Sequence, residues 1–234
     1  MTSFLLVKLQ KSGALLYFAS EKLIILKRAT ILYIQHYIQW QQQQVARDGR
    51  LLLTTEEEDS ERIPEAVYRQ AGLSYPKFFK MDPLSRVAFL ATELLLPGTL
   101  TEDKSKVATV ISTASGCLEV DKKFEESRQS LASPALFVYT LPNIMLGEID
   151  IRHGFKGEQM CTVSEKPDPS WLSFYAGDLL QHRGSEACLC GHVEAAAGVV
   201  SATLCWVSLS PSATGLNLAF NLQNLEAIFS HSLT

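Results

Sequence analysis

The apolar positions of this chain fall into two rhythms. From Leu84 they recur at 84, 87, 88, 91, 94 and 95, the i, i+3, i+4, i+7 stripe of a helix with one buried face. Asp82 can cap that helix, Pro83 suits its first turn, and Pro97-Gly98 stops it. A second stripe, at 171, 172, 175, 176, 179 and 180, sits between the start signal Asp168-Pro169 and the stop Gly184. The stretches 119–131 and 143–153 also read as helical, the first strongly charged. Between the helices lie compact β-rich runs at 31–38, 50–53, 107–113, 158–164, 186–193 and 199–209. The order strand, helix, strand, helix, strand, strand predicts an α/β layered domain. TTEEEDSER, at 54–62, reads as a solvated acidic loop, and the Gln run after Trp40 is too short to carry a low-complexity function.

The N-terminus has a different texture. FLLV, ALLYFA and LIIL are interrupted by Lys8, Lys11, Glu21, Lys22, Lys27 and Arg28, so no stretch reaches the ~18 uncharged apolar residues of a membrane helix. Only ALLYFAS fits part of a signal-peptide pattern. Residues 1–30 are therefore read as an extension, and 31–234 as one domain.

Composition narrows the function. With 47% apolar and 20% charged residues the 234-residue chain is a globular protein, and its net charge of −4 argues against a nucleic-acid-binding module. Five cysteines, at 117, 161, 188, 190 and 205, form no secreted disulfide framework, which points to a reducing cytoplasm. No phosphate loop, dinucleotide fingerprint or Gly-x-Ser-x-Gly elbow is present, so no cofactor is expected. Cys188, Cys190, His192 and Glu194 share one parity and are zinc-ligand types. Along one strand face such side chains stand about 7 Å apart, too far for consecutive ones to close on one tetrahedral ion. They read as strand residues and not as a metal site. His36, His153, His182 and His231 form no pattern.

Four segments, in order, resemble the N-terminal half of the β-ketoacyl synthases, which have the thiolase fold. They are FFKMDPLSRVAFLATELLL (78–96), VATVISTASGC (107–117), SPALFVYTLPNIMLGEIDIRHGFKGE (133–158) and GSEACLCGHVEAA (184–196). The last resembles the strand that ends in the family's glycine-glycine-x-glutamate turn. The resemblance covers roughly 65–210 and implies a half-length, thiolase-like layered α/β fold.

The departures define the expected function. In that family a cysteine nucleophile sits where the strand after the Lys-Gly turn meets a helix. Counting forward from Gly157 puts that place near Lys166, and counting back from Gly184 puts it near Pro167; EKPDP (165–169) holds no nucleophile. Cys161 lies several residues earlier, inside the predicted strand, and is the one candidate thiol. The family's catalytic histidines and lysine belong to its other half, and 211–234 carries one histidine and no such motif. The resemblance thus implies a non-catalytic, chain-length-factor-like subunit, similar to those of aryl polyene and flexirubin-type systems. Its expected partner is a full-length ketosynthase, with an acyl carrier protein engaged indirectly. An acyl-transfer enzyme using Cys161 and a stand-alone acyl-chain or acyl-carrier-binding protein are the alternatives.

Overall fold

In a computed structural model, the described residues are 15–19 and 22–26 as backbone, then 31–96, 100, 102–129, 131–230 and 233. The chain divides into two units, 1–31 and 32–234. In the first, β1 (Leu15–Ala19) and β2 (Lys22–Leu26) pair as an antiparallel hairpin.

The second unit is built on one mixed sheet. Its elements are β3 (Tyr33–Gln41), β4 (Gln44–Arg47), β5 (Arg50–Thr54), α1 (Ile63–Gln70), α2 (Pro83–Leu95), β6 (Val107–Thr113), α3 (Leu118–Ser127), α4 (Pro134–Val138), α5 (Ile144–His153), β7 (Gln159–Val163), α6 (Pro169–His182), β8 (Ala187–Ala196), β9 (Val199–Ser208), β10 (Leu218–Ala219) and α7 (Leu222–Ser230). The strands lie in the order β5-β4-β3-β9-β8-β6-β7, with β10 on β3 beside β4. β8, β6 and β7 run parallel; the others pair antiparallel.

Every side chain of β6 is buried, because the sheet is covered on both faces. One apolar layer joins α1, α2 and α5 to Trp40, Ile111, Leu189, Leu204 and Trp206. The other packs Leu172, Ala176 and Leu179 of α6 and Leu225 and Ile228 of α7 on Ala108, Val110, Cys188, Cys190 and Cys205. The result is a layered α/β domain, as the order of elements predicts.

Local chemistry sets the helix ends. Asp82 accepts from the N–H groups of Leu84 and Ser85 and Pro83 follows it; Asp168 does the same for Trp171 ahead of α6. Gly154 ends α5 in the left-handed region, at φ 76°. Gly157 marks a close approach: a Cβ there would meet the Val107 carbonyl oxygen at 2.3 Å.

The differences from the sequence reading lie at the rims. The first strand starts two residues later than expected and runs to Gln41. The Gln run spans the end of β3, a two-residue turn at Gln42-Gln43 and the start of β4, with Trp40 paired to Val45 and both fully buried. Helices α1 and α7, which the stripes above do not include, cover the two faces of the sheet.

Candidate functional site

In a sheet of this kind the place for a site is the crevice at the carboxyl ends of parallel strands, where successive connections leave for opposite faces. Here β6 runs into α3 beside the α2 layer, and β7 runs into α6 on the other face. The ends of β6, β7 and β8 meet there.

Glu194, near the end of β8, grips the turn that follows β6. Its carboxylate accepts from Thr113 Oγ1 (2.7 Å), from the Ala114 N–H and from the Ser115 N–H (3.2 Å). Such an N–H-rich environment is where an anion is at home. His192 reaches Glu194 at 3.5 Å through Nε2, and its Nδ1 lies 2.8 Å from Ser112 Oγ. Burial pushes the His192 pKa down, against the pull of Glu194. Burial thus favours the neutral imidazole, whose Nε2 faces the carboxylate, while Ser112 Oγ also reaches the Gly191 carbonyl at 3.2 Å. Ser112 and His192 are both buried in the sheet, so this line of groups fixes the turn. Gly191 is required for another reason: a Cβ would meet Thr203 O at 2.0 Å.

The expected nucleophile position falls where strand becomes helix. Ser164 N–H donates to Thr113 C=O (2.9 Å), which closes the β6–β7 ladder, and Asp168 caps α6. The connection between them is Glu165-Lys166-Pro167 and contains no thiol or hydroxyl. Ser164, just ahead, escaped the sequence reading, but its hydroxyl donates to the Lys166 carbonyl (2.7 Å). Cys161 lies in the middle of β7, opposite Ile111. Its side chain packs against the α2-side core, and burial pushes its pKa up to about 11. Cys117, ahead of α3, is pushed to about 12 by burial and by Asp82, Asp121 and Cys161. A thiolate nucleophile needs the opposite environment, one that lowers the pKa.

Cys188 and Cys190 belong to the second apolar layer, with Cys205 directly across from Cys190. His192 and Glu194 are committed to β6 and its turn. Among the described residues no group of three His, Cys, Asp or Glu side chains is placed to hold a metal ion. Two open clefts, of about 190 and 270 Å³, share Glu61, Pro83 and Arg86, and neither is lined by Cys161 or the 165–169 turn. No described helix is long and apolar enough to cross a membrane.

The other feature is an edge. Among the described residues, β7 is the last strand of the sheet and no strand pairs with its outer side. Val163 is 67% exposed there. Elsewhere the segment 131–141 exposes Leu131, Phe137, Val138 and Leu141.

This fold is that of the ketosynthase and chain length factor proteins, thiolase-like and layered. No family model matches the chain, and no curated protein matches it. Among solved structures it is similar to the ishigamide ketosynthase/chain length factor, with 16% identity and a TM-score of 0.58 over 80% of this chain and 64% of that one. It is also similar to AntDE:AntF, a type II polyketide synthase acyl-carrier protein in complex with its ketosynthase bound to the hexaketide. There the identity is 12% and the TM-score 0.52, over 76% of this chain and 62% of that one. The chain thus spans less than two thirds of these neighbours' length.

Proposed function

We propose that this chain is a non-catalytic, chain-length-factor-like subunit that pairs with a full-length β-ketoacyl-carrier-protein synthase in the cytoplasm. One observation supports the reading: β7 passes into α6 through 164–168, and in that connection, where the resemblance leads one to expect a nucleophile, Glu165-Lys166-Pro167 carry no thiol or hydroxyl. Cys161 supports the same reading, since burial holds it as a neutral thiol. Condensation needs an activated thiolate and donors aimed at the developing oxyanion. In this reading a ketosynthase supplies both, the acyl carrier protein delivers its chains to that enzyme, and this subunit helps shape the acyl channel and docks through the β7 edge. A polyketide or aryl polyene pathway is the setting.

The test has two parts. Purified alone, the chain gives no condensation of acyl and malonyl carrier-protein substrates above a no-protein control. Co-expressed with its ketosynthase, it co-elutes at one-to-one stoichiometry. Turnover by the chain alone that is lost in Cys161→Ser overturns the non-catalytic reading.

A further inference from the structure

The turn between β4 and β5 holds chemistry that the rest of the molecule does not use. Asp48-Gly49 is the one Asp-Gly pair of the chain, and the chain has no Asn-Gly pair. In such a pair the nitrogen that follows the aspartate is at its least hindered, because glycine has no Cβ. That nitrogen attacks the side-chain carboxyl carbon: a C–N bond forms, the carboxyl hydroxyl leaves with the amide proton as water, and a succinimide ring closes. Water then opens the ring at either C–N bond. One opening restores aspartate; the other leaves isoaspartate, with the main chain routed through the side chain. The water lost in the first step is regained in the second, so no other reactant enters. Solvent reaches the turn, since Gly49 and Arg50 are exposed.

The fold holds the carboxylate away from that nitrogen. Asp48 Oδ1 accepts from the Tyr37 N–H (2.9 Å) and Oδ2 from His36 Nδ1–H (2.7 Å), with Arg47 Nε 3.8 Å from Oδ2. A carboxylate only accepts, so the ring nitrogen that faces it carries the proton. The Asp48 N–H in turn donates to the Tyr37 carbonyl (2.9 Å). Both oxygens are thus directed at β3, and the succinimide closes only after the carboxyl leaves these donors and turns to Gly49. Tyr37 contributes through its backbone; the buried His36 contributes through its side chain. We propose that Asp48-Gly49 is a modification site, where this chain forms isoaspartate as it ages, and that His36 is the residue that restrains it. The place makes the change consequential. Two residues, at φ 55° and 75°, join β4 to β5. A β-linked aspartate adds a carbon to the main chain of that turn, so Arg47 no longer meets Arg50 and β5 loses its pairing at the end of the sheet.

The test ages the full purified chain at physiological temperature and neutral pH. An isoaspartyl methyltransferase counts the product by adding one methyl group to each isoaspartate, and the chymotryptic peptide 41–51 places it by a change of retention at unchanged mass. A peptide of residues 44–54 gives the rate of the unheld pair. The folded parent is expected to react at position 48 at least about tenfold more slowly than that peptide. His36→Leu is expected to react about tenfold faster than the parent, the factor that one lost charge-assisted hydrogen bond puts on the detached carboxyl. His36→Asn, whose amide donates from close to the Nδ1 position, keeps the slow rate. Leu225→Ala, a cavity in the layer under α7, controls for lost stability and also keeps it. A parent as fast as the peptide overturns the restraint, as does His36→Leu at or below the parent's rate. Equal acceleration in Leu225→Ala or in His36→Asn assigns the effect to stability or packing and removes His36 from it. Isoaspartate that builds first at Asp59-Ser60 overturns the site.

Discussion

The sheet has two ends, and they are finished differently. At one end β5 is five residues long and its register with β4 slips between Val45 and Ala46, which leaves Leu52 as the extra residue of a bulge. Arg47 and Arg50 flank its start, and Glu56, Glu57, Glu58, Asp59 and Glu61 follow its end. Bulges, short length and charge are the devices by which proteins keep an edge from pairing with another chain. At the other end β7 is as short, but its ladder is regular and its five residues are uncharged. Leu51 and Leu52 are exposed on the protected edge as Val163 is on the open one, so exposed apolar area does not separate the two. What separates them is whether the backbone is arranged to accept a partner.

The largest effect expected lies beneath the open edge. Glu194 holds the turn after β6, the strand on which β7 is built. Glu194→Ala leaves the Ala114 and Ser115 N–H groups and the Thr113 hydroxyl without their acceptor, a cost of about 1–3 kcal/mol for each buried group that water does not reach. Urea unfolding should show a loss of ~3 kcal/mol or more, with Glu194→Gln in between because the amide oxygen still accepts. Wild-type stability in Glu194→Ala would mean the turn is held by other contacts.

Next comes a parity test of β7 itself. Thr162 spends its N–H on β6 and Val163 does not, so proline at 162 removes a ladder bond while proline at 163 removes only an outward donor. Thr162→Pro is expected to destabilise by ~3 kcal/mol. Val163→Pro is expected to melt within a few degrees of the parent and to lose pairing at the edge. Equal destabilisation by the two would show that the outward side of β7 is not free.

The protected edge gives a smaller effect. Asp48 and Gly49 both have positive φ, 55° and 75°, in the two-residue turn joining β4 to β5. Gly49→Ala is expected to cost about 1 kcal/mol in thermal or urea unfolding, and the oligomeric state stays that of the parent. A change of mass in this variant would show that the β5 edge pairs as well.

Much of this fold was legible in the chain, and the failures share a cause. Strands β6, β8 and β9 and helices α2, α5 and α6 stand out because they build the core on the two faces of the sheet, which imposes long apolar runs or a helical stripe. The rim is harder. Trp40 and Val45 are buried partners across a turn made by Gln42 and Gln43, and glutamine carries no turn signal. The Asp48-Gly49 pair is such a signal, one that would have joined RLLL to a strand before it. Helix α1 buries Ile63, Pro64, Val67 and Tyr68 in eight residues and α7 buries Leu225 and Ile228 in nine, and helices of so few turns give a stripe that is easily overlooked. At the proposed site, counting along the chain locates the strand-to-helix connection 165–167, which holds no thiol or hydroxyl. The grip of Glu194 on the turn 80 residues earlier could not be found in this way, because nothing local announces a carboxylate's distant donors.

The smallest effect concerns Cys161 and reads the open edge without altering it. An unperturbed thiol titrates near 8.5, and burial raises this one to about 11. The thiolate is the reactive form, so at pH 8 only about one thiol in a thousand is available. Alkylation of the native chain by iodoacetamide should therefore rise about tenfold per pH unit from 7 to 10 and level off only near 11. The same shift bears on stability. The unfolded chain releases this proton near pH 8.5 while the folded chain holds it until about 11, so the folded state is favoured less as pH rises through that interval. Occupation of the edge would make a further difference: if the proposed ketosynthase partner covers β7, alkylation at fixed pH should slow when it is added. A rate that plateaus near pH 8.5 and ignores the ketosynthase would place Cys161 in open water and remove it from the interface.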